Sequence, residues 1–253
     1  MTFKLGNSTI NRIYYGSNIV SSIYFGNTVV YNKMNIFTEN IRSILTNPNN
    51  LKGLYLFYVL SGSKVPDVSG NNYHMDLSVD ASTLTPDSKS LSFTDNKSWT
   101  INNNNDMSFG NGTIDQPFSI IWAGKVTANS HLVSKELEYT LKAEQTTLGL
   151  YTEDIDNLGI DDCGKYCNFT DYLSNNIIIG TYNTEQFSQK IYINGINVST
   201  TINYADSPYQ AMSNNYEGIT MFGDQKVYAV AMISECLNQN QVTLINDIIQ
   251  SYL

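Results

Sequence analysis

The stretch Phe118-Ser119-Ile120-Ile121-Trp122-Ala123-Gly124-Lys125-Val126 decides the fold. It is rich in β-branched and aromatic residues, which suit a pleated, buried surface, and it reads as a core strand. Working outward, apolar or alternating runs recur at 54–60, 91–93 and 98–101 on one side, and at 131–134, 139–141, 147–151, 177–182, 190–193 and 225–233 on the other. Short strands separated by turn signals predict an all-β sandwich over residues 51–253. The chain closes with a helix. Asn238 is placed to cap it and Gln241 follows in capping-box register. Val242, Ile245, Ile248, Ile249 and Tyr252 then make one apolar face, expected to pack on an edge of the sandwich.

The first 31 residues carry a ten-residue repeat: Leu5-Gly6-Asn7-Ser8, Tyr15-Gly16-Ser17-Asn18 and Phe25-Gly26-Asn27-Thr28 overlay one another, as do Ile10, Val20 and Val30. Each unit predicts a short strand closed by a Gly-Asn or Gly-Ser turn, together a small β-meander. In Ile13-Tyr14-Tyr15 and Ile23-Tyr24-Phe25 the outer residues share one face and the middle tyrosine takes the other, so both faces are apolar or aromatic. Short strands of this kind cannot bury such surface among themselves. Ile13, Tyr14, Tyr15, Ile23, Tyr24, Phe25, Val30 and Tyr31 are therefore candidate anchor or oligomer-interface residues, to be covered by another copy or by a different protein. Residues 1–34 form this unit. Residues 35–50 are expected to be a linker with a short helix, because Phe37, Ile41, Ile44 and Leu45 fall at helical spacing after a cap at Asn35 or Thr38. Asn47-Pro48-Asn49-Asn50 stops it.

Charged residues are only 15% of the chain, against about 25% in ordinary soluble domains, so Asn, Ser, Thr and Tyr supply a hydrogen-bonding surface. The 14 basic and 23 acidic residues give a net charge of −9, which repels a phosphate backbone, and nucleic acid is not an expected partner. No apolar run has the length of a membrane span, and Met1-Thr2-Phe3-Lys4-Leu5-Gly6-Asn7 lacks the apolar core of a signal peptide. The expectation is a protein made in a cytoplasm and not inserted in a membrane. Cys163, Cys167 and Cys236 are then expected to be reduced thiols, since Cys163-Gly164-Lys165-Tyr166-Cys167 has no second pair to complete a structural zinc site.

Several stretches occur in a telling order. Leu54-Tyr55-Leu56-Phe57 precedes Asp67-Val68-Ser69-Gly70-Asn71-Asn72-Tyr73-His74; Ser90-Leu91-Ser92-Phe93-Thr94-Asp95 follows, then the core run, then Lys190-Ile191-Tyr192-Ile193-Asn194-Gly195, then the helix. This order resembles the laminin G-like and pentraxin-like branch of the concanavalin A-like lectin/glucanase superfamily, and the resemblance implies a jelly-roll. Asp95 stands where that family has glycine, Trp122 comes one place early, and the Trp-His pair before the central strand is missing. The N-terminal segment, Ile10-Asn11-Arg12-Ile13-Tyr14-Tyr15-Gly16 through Ile23-Tyr24-Phe25-Gly26-Asn27-Thr28-Val29-Val30-Tyr31, resembles Ile-Tyr-x-Gly repeats of tailed-bacteriophage structural proteins.

A superfamily containing glucanases directs attention to paired carboxylates. Glu136 and Glu138 share one face of a predicted strand at the spacing of a retaining pair. The family's third acid is absent from Tyr139-Thr140-Leu141-Lys142, so the two are expected on a solvated strand face and no catalytic residue is assigned. His74 is expected to brace its loop, and Asp67 to accept the amides of Ser69 and Gly70 in an Asx-turn. No cofactor is expected, with calcium the one candidate: Asp67, Asn71 and Asn72 offer oxygen ligands at a loop rim. Trp122 is assigned to the core. Trp99, Tyr151, Tyr166, Tyr172, Tyr204, Tyr209 and Tyr216 are available for glycan or protein contacts.

Taken with the resemblances, these features predict a virion structural protein, a head or tail fiber or decoration made in the host cytoplasm. Residues 1–34 would dock on other virion proteins, a homotrimer is the expected state, and the sandwich would display a lectin-like surface for a host glycan or protein. The alternative is a polysaccharide hydrolase of the glucanase type.

Overall fold

A computed structural model describes residues 4–5, 8–9, 14–15, 18–19, 22–25, 28–57, 61, 63–77, 90–93, 99–102, 105–135, 138–144, 146–152, 163–185, 188–198, 203–204, 212 and 218–253. The repeat forms three hairpins: β1 (Lys4–Leu5) with β2 (Ser8–Thr9), β3 (Tyr14–Tyr15) with β4 (Asn18–Ile19), and β5 (Ser22–Phe25) with β6 (Thr28–Asn32). The innermost pairs are Leu5↔Ser8, Tyr15↔Asn18 and Phe25↔Thr28, so the ten-residue period of the sequence is also the period of the pairing. Among the described residues each hairpin is its own two-stranded sheet, where a continuous meander was expected. Tyr14 and Tyr15 lie on β3, Ile23, Tyr24 and Phe25 on β5, and Val30 and Tyr31 on β6, while Ile13 lies outside the described residues.

The chain continues through α1 (Lys33–Arg42), β7 (Leu51–Leu56), β8 (Lys64–Val65), β9 (Met75–Leu77), β10 (Leu91–Phe93), β11 (Trp99–Ile101) and β12 (Phe118–Lys135). It then forms β13 (Tyr139–Glu144), β14 (Thr147–Thr152), β15 (Cys163–Asn168), β16 (Asn176–Asn183), β17 (Ser188–Ile193), β18 (Ile196–Asn197), β19 (Asn203–Tyr204), β20 (Ile219–Ile233) and α2 (Gln239–Tyr252).

Two long strands, β12 and β20, build the sandwich by belonging to both of its sheets. Residues 118–124 of β12 lie between β16 and residues 227–233 of β20, giving a first sheet ordered β18-β17-β16-β12-β20-β7. Residues 130–135 of β12 pair with β13 and with residues 219–223 of β20, giving a second sheet ordered β19-β15-β14-β13-β12-β20-β11-β9-β8. The stretches read separately as 118–126 and 131–134 are thus one strand that bends from sheet to sheet. Register irregularities between Val126 and Ser130 and between His131 and Ser134 mark the bend, and opposite it Gly223 has φ 101°, a value glycine adopts without strain. The result is an antiparallel jelly-roll β-sandwich with a C-terminal helix.

Two apolar layers follow from the pattern of side chains. Ile120, Trp122, Ile178, Tyr182, Val230 and Met232 face the interior between the sheets, where they meet Leu132, Leu141, Leu148 and Leu150. Their neighbours Ile121, Ala123, Ile177, Ile179, Ala231 and Ile233 face the other way, under α1 and α2. The first sheet is covered on both faces, so its strands carry unbroken apolar runs such as Ile177-Ile178-Ile179. On the second sheet β13 alternates buried Leu141 and Ala143 with half-buried Lys142 and Glu144, while Ser134, Thr140 and Tyr151 on the outer face are buried.

The short helix of the 35–50 segment is α1, and it starts at Lys33, so Asn35 and Thr38 lie inside it and neither is its cap. Thr38 instead donates its hydroxyl to the Met34 carbonyl at 2.9 Å, one turn back. Phe37, Ile41 and Leu45 join the helix-covered layer. In α2, Asn238 and Gln241 form the expected capping box. Val242, Ile245 and Ile249 pack onto the face of the first sheet, where an edge was expected, because that face presents Ile121, Ile177 and Ile179. Asn194 and Gly195 form a two-residue hairpin turn between β17 and β18: both have positive φ (51° and 82°), as a turn of matching twist requires. No described helix is long and apolar enough to cross a membrane.

Candidate functional site

The outer face of the second sheet carries a row of side chains that no local pattern pairs. His131 on β12 lies opposite Phe222 on β20 and, on its other side, opposite Lys142 on β13. The His131 and Phe222 rings stack with centroids 4.0 Å apart and planes at 29°. Phe222 keeps 40% of its surface exposed. Lys142 pairs with Glu144 two residues along the same strand face. The row continues to Gly149 on β14, where the ring of Tyr151 fills the space a side chain would take.

The row is held from beneath. Gln225 is buried at the bend of β20, where its amide nitrogen donates to the carbonyls of both His131 and Phe222 at 3.3 Å. Its oxygen accepts the Trp122 indole N–H at 2.9 Å. One core side chain therefore fixes the backbone under both rings. Burial, helped by the Lys142 charge and opposed by Glu144, pushes the His131 imidazole down to about 4, so it is neutral at neutral pH. His131 Nδ1 is buried with no hydrogen-bond partner.

Glu138 does not lie on a solvated strand. It sits in the turn between β12 and β13 with 0% exposure, and its partner there is Lys135, at 1%. Lys135 Nζ pairs with Glu138 Oε1 and also donates to Ser108 Oγ at 2.9 Å, while Glu138 Oε2 accepts the Phe109 amide at 3.2 Å. Burial pushes the carboxyl up and Lys135 partly offsets this. The partners Ser108 and Phe109 come from a loop far upstream, so the spacing of Glu136 and Glu138 carried no sign of them. Glu136 lies outside the described residues.

The Asp67 loop is a brace. Asp67 Oδ1 accepts the amides of Leu54 at 3.0 Å and Ser69 at 2.9 Å, Oδ2 accepts that of Tyr73 at 3.2 Å, and the Asp67 amide donates to His74 Nδ1 at 3.1 Å. The Ser69 contact and the bracing role of His74 are as expected, while Leu54 and Tyr73 take the place of Gly70. Asn71 spends its amide nitrogen on the carbonyls of Leu51 and Lys52, both at 2.9 Å. Of the calcium candidates Asp67 and Asn71, Asp67 thus receives N–H donors on both of its carboxylate oxygens. Among the described residues no group of three His, Cys, Asp or Glu side chains is placed to hold a metal.

Of the aromatics offered for glycan contact, Trp99 is in the core at 1% exposure, its ring against Phe57 and Phe93, and Tyr151 is at 7%. Tyr166 and Tyr204 lie on β15 and β19, and Tyr209 and Tyr216 lie outside the described residues. Trp122 is fully buried, as expected. Cys167 and Cys236 are free thiols, and burial pushes Cys167 up to about 11. The sequence reading missed Phe222. Its signal was the alternation Ile219-Thr220-Met221-Phe222, which places Phe222 opposite the buried Ile219 and Met221 once the strand is extended upstream.

Known structures share this architecture. The binding domain of Paraclostridial Mosquitocidal Protein 1 matches with a TM-score of 0.57 at 18% identity over 78% of this chain and 52% of that one. The botulinum neurotoxin serotype D ligand binding domain in complex with N-acetylneuraminic acid matches at 0.58 and 12%, over 83% of this chain and 52% of that one. Trypanosoma rangeli sialidase in complex with sialic acid matches at 0.59 and 10%, over 85% and 37%. The chain thus spans about half the length of the toxin domains it matches. No family model and no curated protein matches it. At these identities the likeness defines a fold, a jelly-roll β-sandwich. Within it, this chain resembles toxin binding domains and a sialidase.

Proposed function

We propose that this chain is an adhesion module of a bacteriophage virion, a head or tail fiber or decoration whose N-terminal repeat docks on other virion proteins and whose sandwich displays a host-binding surface. The observation that carries the reading is the unequal treatment of the two sheets. The first is sealed beneath α1 and α2, and α1 begins at the residue after the last hairpin strand. The second leaves Phe222 and the Lys142–Glu144 pair partly exposed on its outer face. Attachment enters on the sealed side, which leaves the open sheet for display. The binding domains among its structural likenesses support a binding role, and the repeat's resemblance to phage segments supports the virion. Binding is preferred to hydrolysis because Glu138, the described member of the carboxylate pair, is fully buried against Lys135. A homotrimer would let weak single sites act together.

Mass spectrometry of purified particles tests the docking half: the chain is expected at stoichiometric levels, and deletion of residues 1–34 is expected to remove it. Particles lacking the intact chain would overturn the proposal.

A further inference from the structure

The sealed side of the sandwich carries a groove of about 830 Å³ between α1 and α2. The helices run antiparallel. Phe37 of α1 meets Tyr252 at the end of α2 edge to face, with ring centroids 4.5 Å apart, and Gln241 at the start of α2 donates from Nε2 to the Ile44 carbonyl, just beyond α1, at 3.0 Å. Contacts between the helices therefore hold both ends of the groove. Leu244, Ile248 and Tyr252 line it at i, i+4 and i+8, a second apolar stripe on α2 beside the buried Val242, Ile245 and Ile249. Leu244 is 53% exposed, and Ile44 and Ile248 are half-buried. Asn40, Ser43 and Asn240 supply a polar rim, and among the described lining residues Asp247 carries the only charge.

The occupant that fits is the N-terminal repeat. Residues 1–34 hold Lys4, Arg12 and Lys33 and no acidic residue, whereas all 23 acidic residues lie beyond them, so the repeat is cationic and the remainder strongly acidic. The runs Ile13-Tyr14-Tyr15 and Ile23-Tyr24-Phe25 give a strand apolar or aromatic residues on both faces. Alternate residues of a strand stand about 6.6 Å apart and one i, i+4 step of a helix is about 6 Å, so such a strand face matches the spacing of Leu244, Ile248 and Tyr252. Tyrosine hydroxyls need polar partners, which the Asn and Ser rim offers. β6 ends at Asn32 and α1 begins at Lys33, so the β5–β6 hairpin has no loop with which to turn back over the groove of its own copy. The repeat must come from a second copy. A hairpin of strands four and five residues long covers less than the about 800 Å² a side of a stable two-body contact, which suits a closed ring where every copy gives one repeat and receives one.

Resting on the adhesion reading above, we infer that the groove between α1 and α2 receives the N-terminal repeat of a second copy of this chain and so closes the homo-oligomer. Leu244 and Ile248 take the apolar face of the incoming strand, and Asp247 attracts its basic residues. The opposite face of the repeat stays available for other virion proteins.

The test is the molar mass of the full chain by light scattering, together with carboxyl-to-amine cross-linking of mixed light and heavy isotope-labelled chains. The wild type is expected to form a closed oligomer that loosens as salt is raised, with cross-links from Asp247 to Lys4 joining light chains to heavy ones. Leu244→Glu is expected to weaken association at least tenfold. Asp247→Lys should weaken it severalfold, and so should Lys4→Glu with Arg12→Glu, while the three changes combined should recover part of the loss. Leu244 and Asp247 are exposed, so their variants should keep the circular dichroism of the wild type. A monomeric wild type, an oligomer unaffected by Leu244→Glu, or cross-links confined to single chains would each overturn the inference. Particles that still carry the chain would then leave the adhesion reading standing. Copies that join through the groove while particles lack the chain would overturn the adhesion reading and leave this contact.

Discussion

Gln225 and Trp122 are 103 positions apart in the chain, yet the indole N–H of one donates to the side-chain oxygen of the other at 2.9 Å inside the sandwich. Gln225 lies at the bend of β20, and Trp122 in the first-sheet part of β12. Replacing Gln225 by Leu removes the acceptor for a fully buried N–H and the donor for two carbonyls, so it is expected to cost about 2–4 kcal/mol in urea unfolding.

The Lys135–Glu138 pair gives a different prediction. Glu138→Gln leaves a buried ammonium without its counter-charge and is expected to cost roughly 3–5 kcal/mol, while Lys135→Met with Glu138→Leu together should cost less, about 1–3 kcal/mol, for the Phe109 amide left without its acceptor. Denaturation of the single and double variants checks the pattern. A mild single variant would show that the pair is open to water.

Stability should fall on acidification through His131. Its imidazole protonates at about 4 when folded and near its ordinary 6.5 when unfolded. Above 6.5 the two states hold the same proton count. Between 6.5 and 4 only the unfolded chain takes up the proton, so stability is lost over that window, by roughly 2–3 kcal/mol. In His131→Phe the part of the loss between pH 7 and pH 4 that belongs to this residue should vanish, as unfolding at the two pH values would reveal.

Asp67 holds three amides, and Asp67→Ala is expected to destabilise the protein by about 2–4 kcal/mol and to loosen residues 67–74 to hydrogen exchange. Asp67→Asn, which keeps one acceptor oxygen, should cost less. Added calcium is expected to leave the melting temperature unchanged, because the carboxylate oxygens are already engaged.

Much of this architecture was legible in the residues. The register of the three hairpins repeats the spacing of Leu5, Tyr15 and Phe25, and the cap of α2 lies at Asn238 with Gln241. Trp122 sits in the core that its apolar run implied. Three expectations missed for one reason. Trp99 as a glycan contact, Glu138 on a solvated face, and α2 on an edge each depended on what a distant segment covers. A strand's alternation states which side chains share a face, but not whether a helix or another sheet lies over that face.

The sequence by itself therefore determined the strands, the hairpin period, the terminal helix and its cap, since each arises from neighbours within a turn or a strand of one another. Only the tertiary structure decided that β12 and β20 pass through both sheets, that α1 and α2 seal the first sheet, and that His131 meets Phe222 on the second. Those facts depend on which remote backbone pairs with which, and antiparallel pairing places two side chains together only once its register is set.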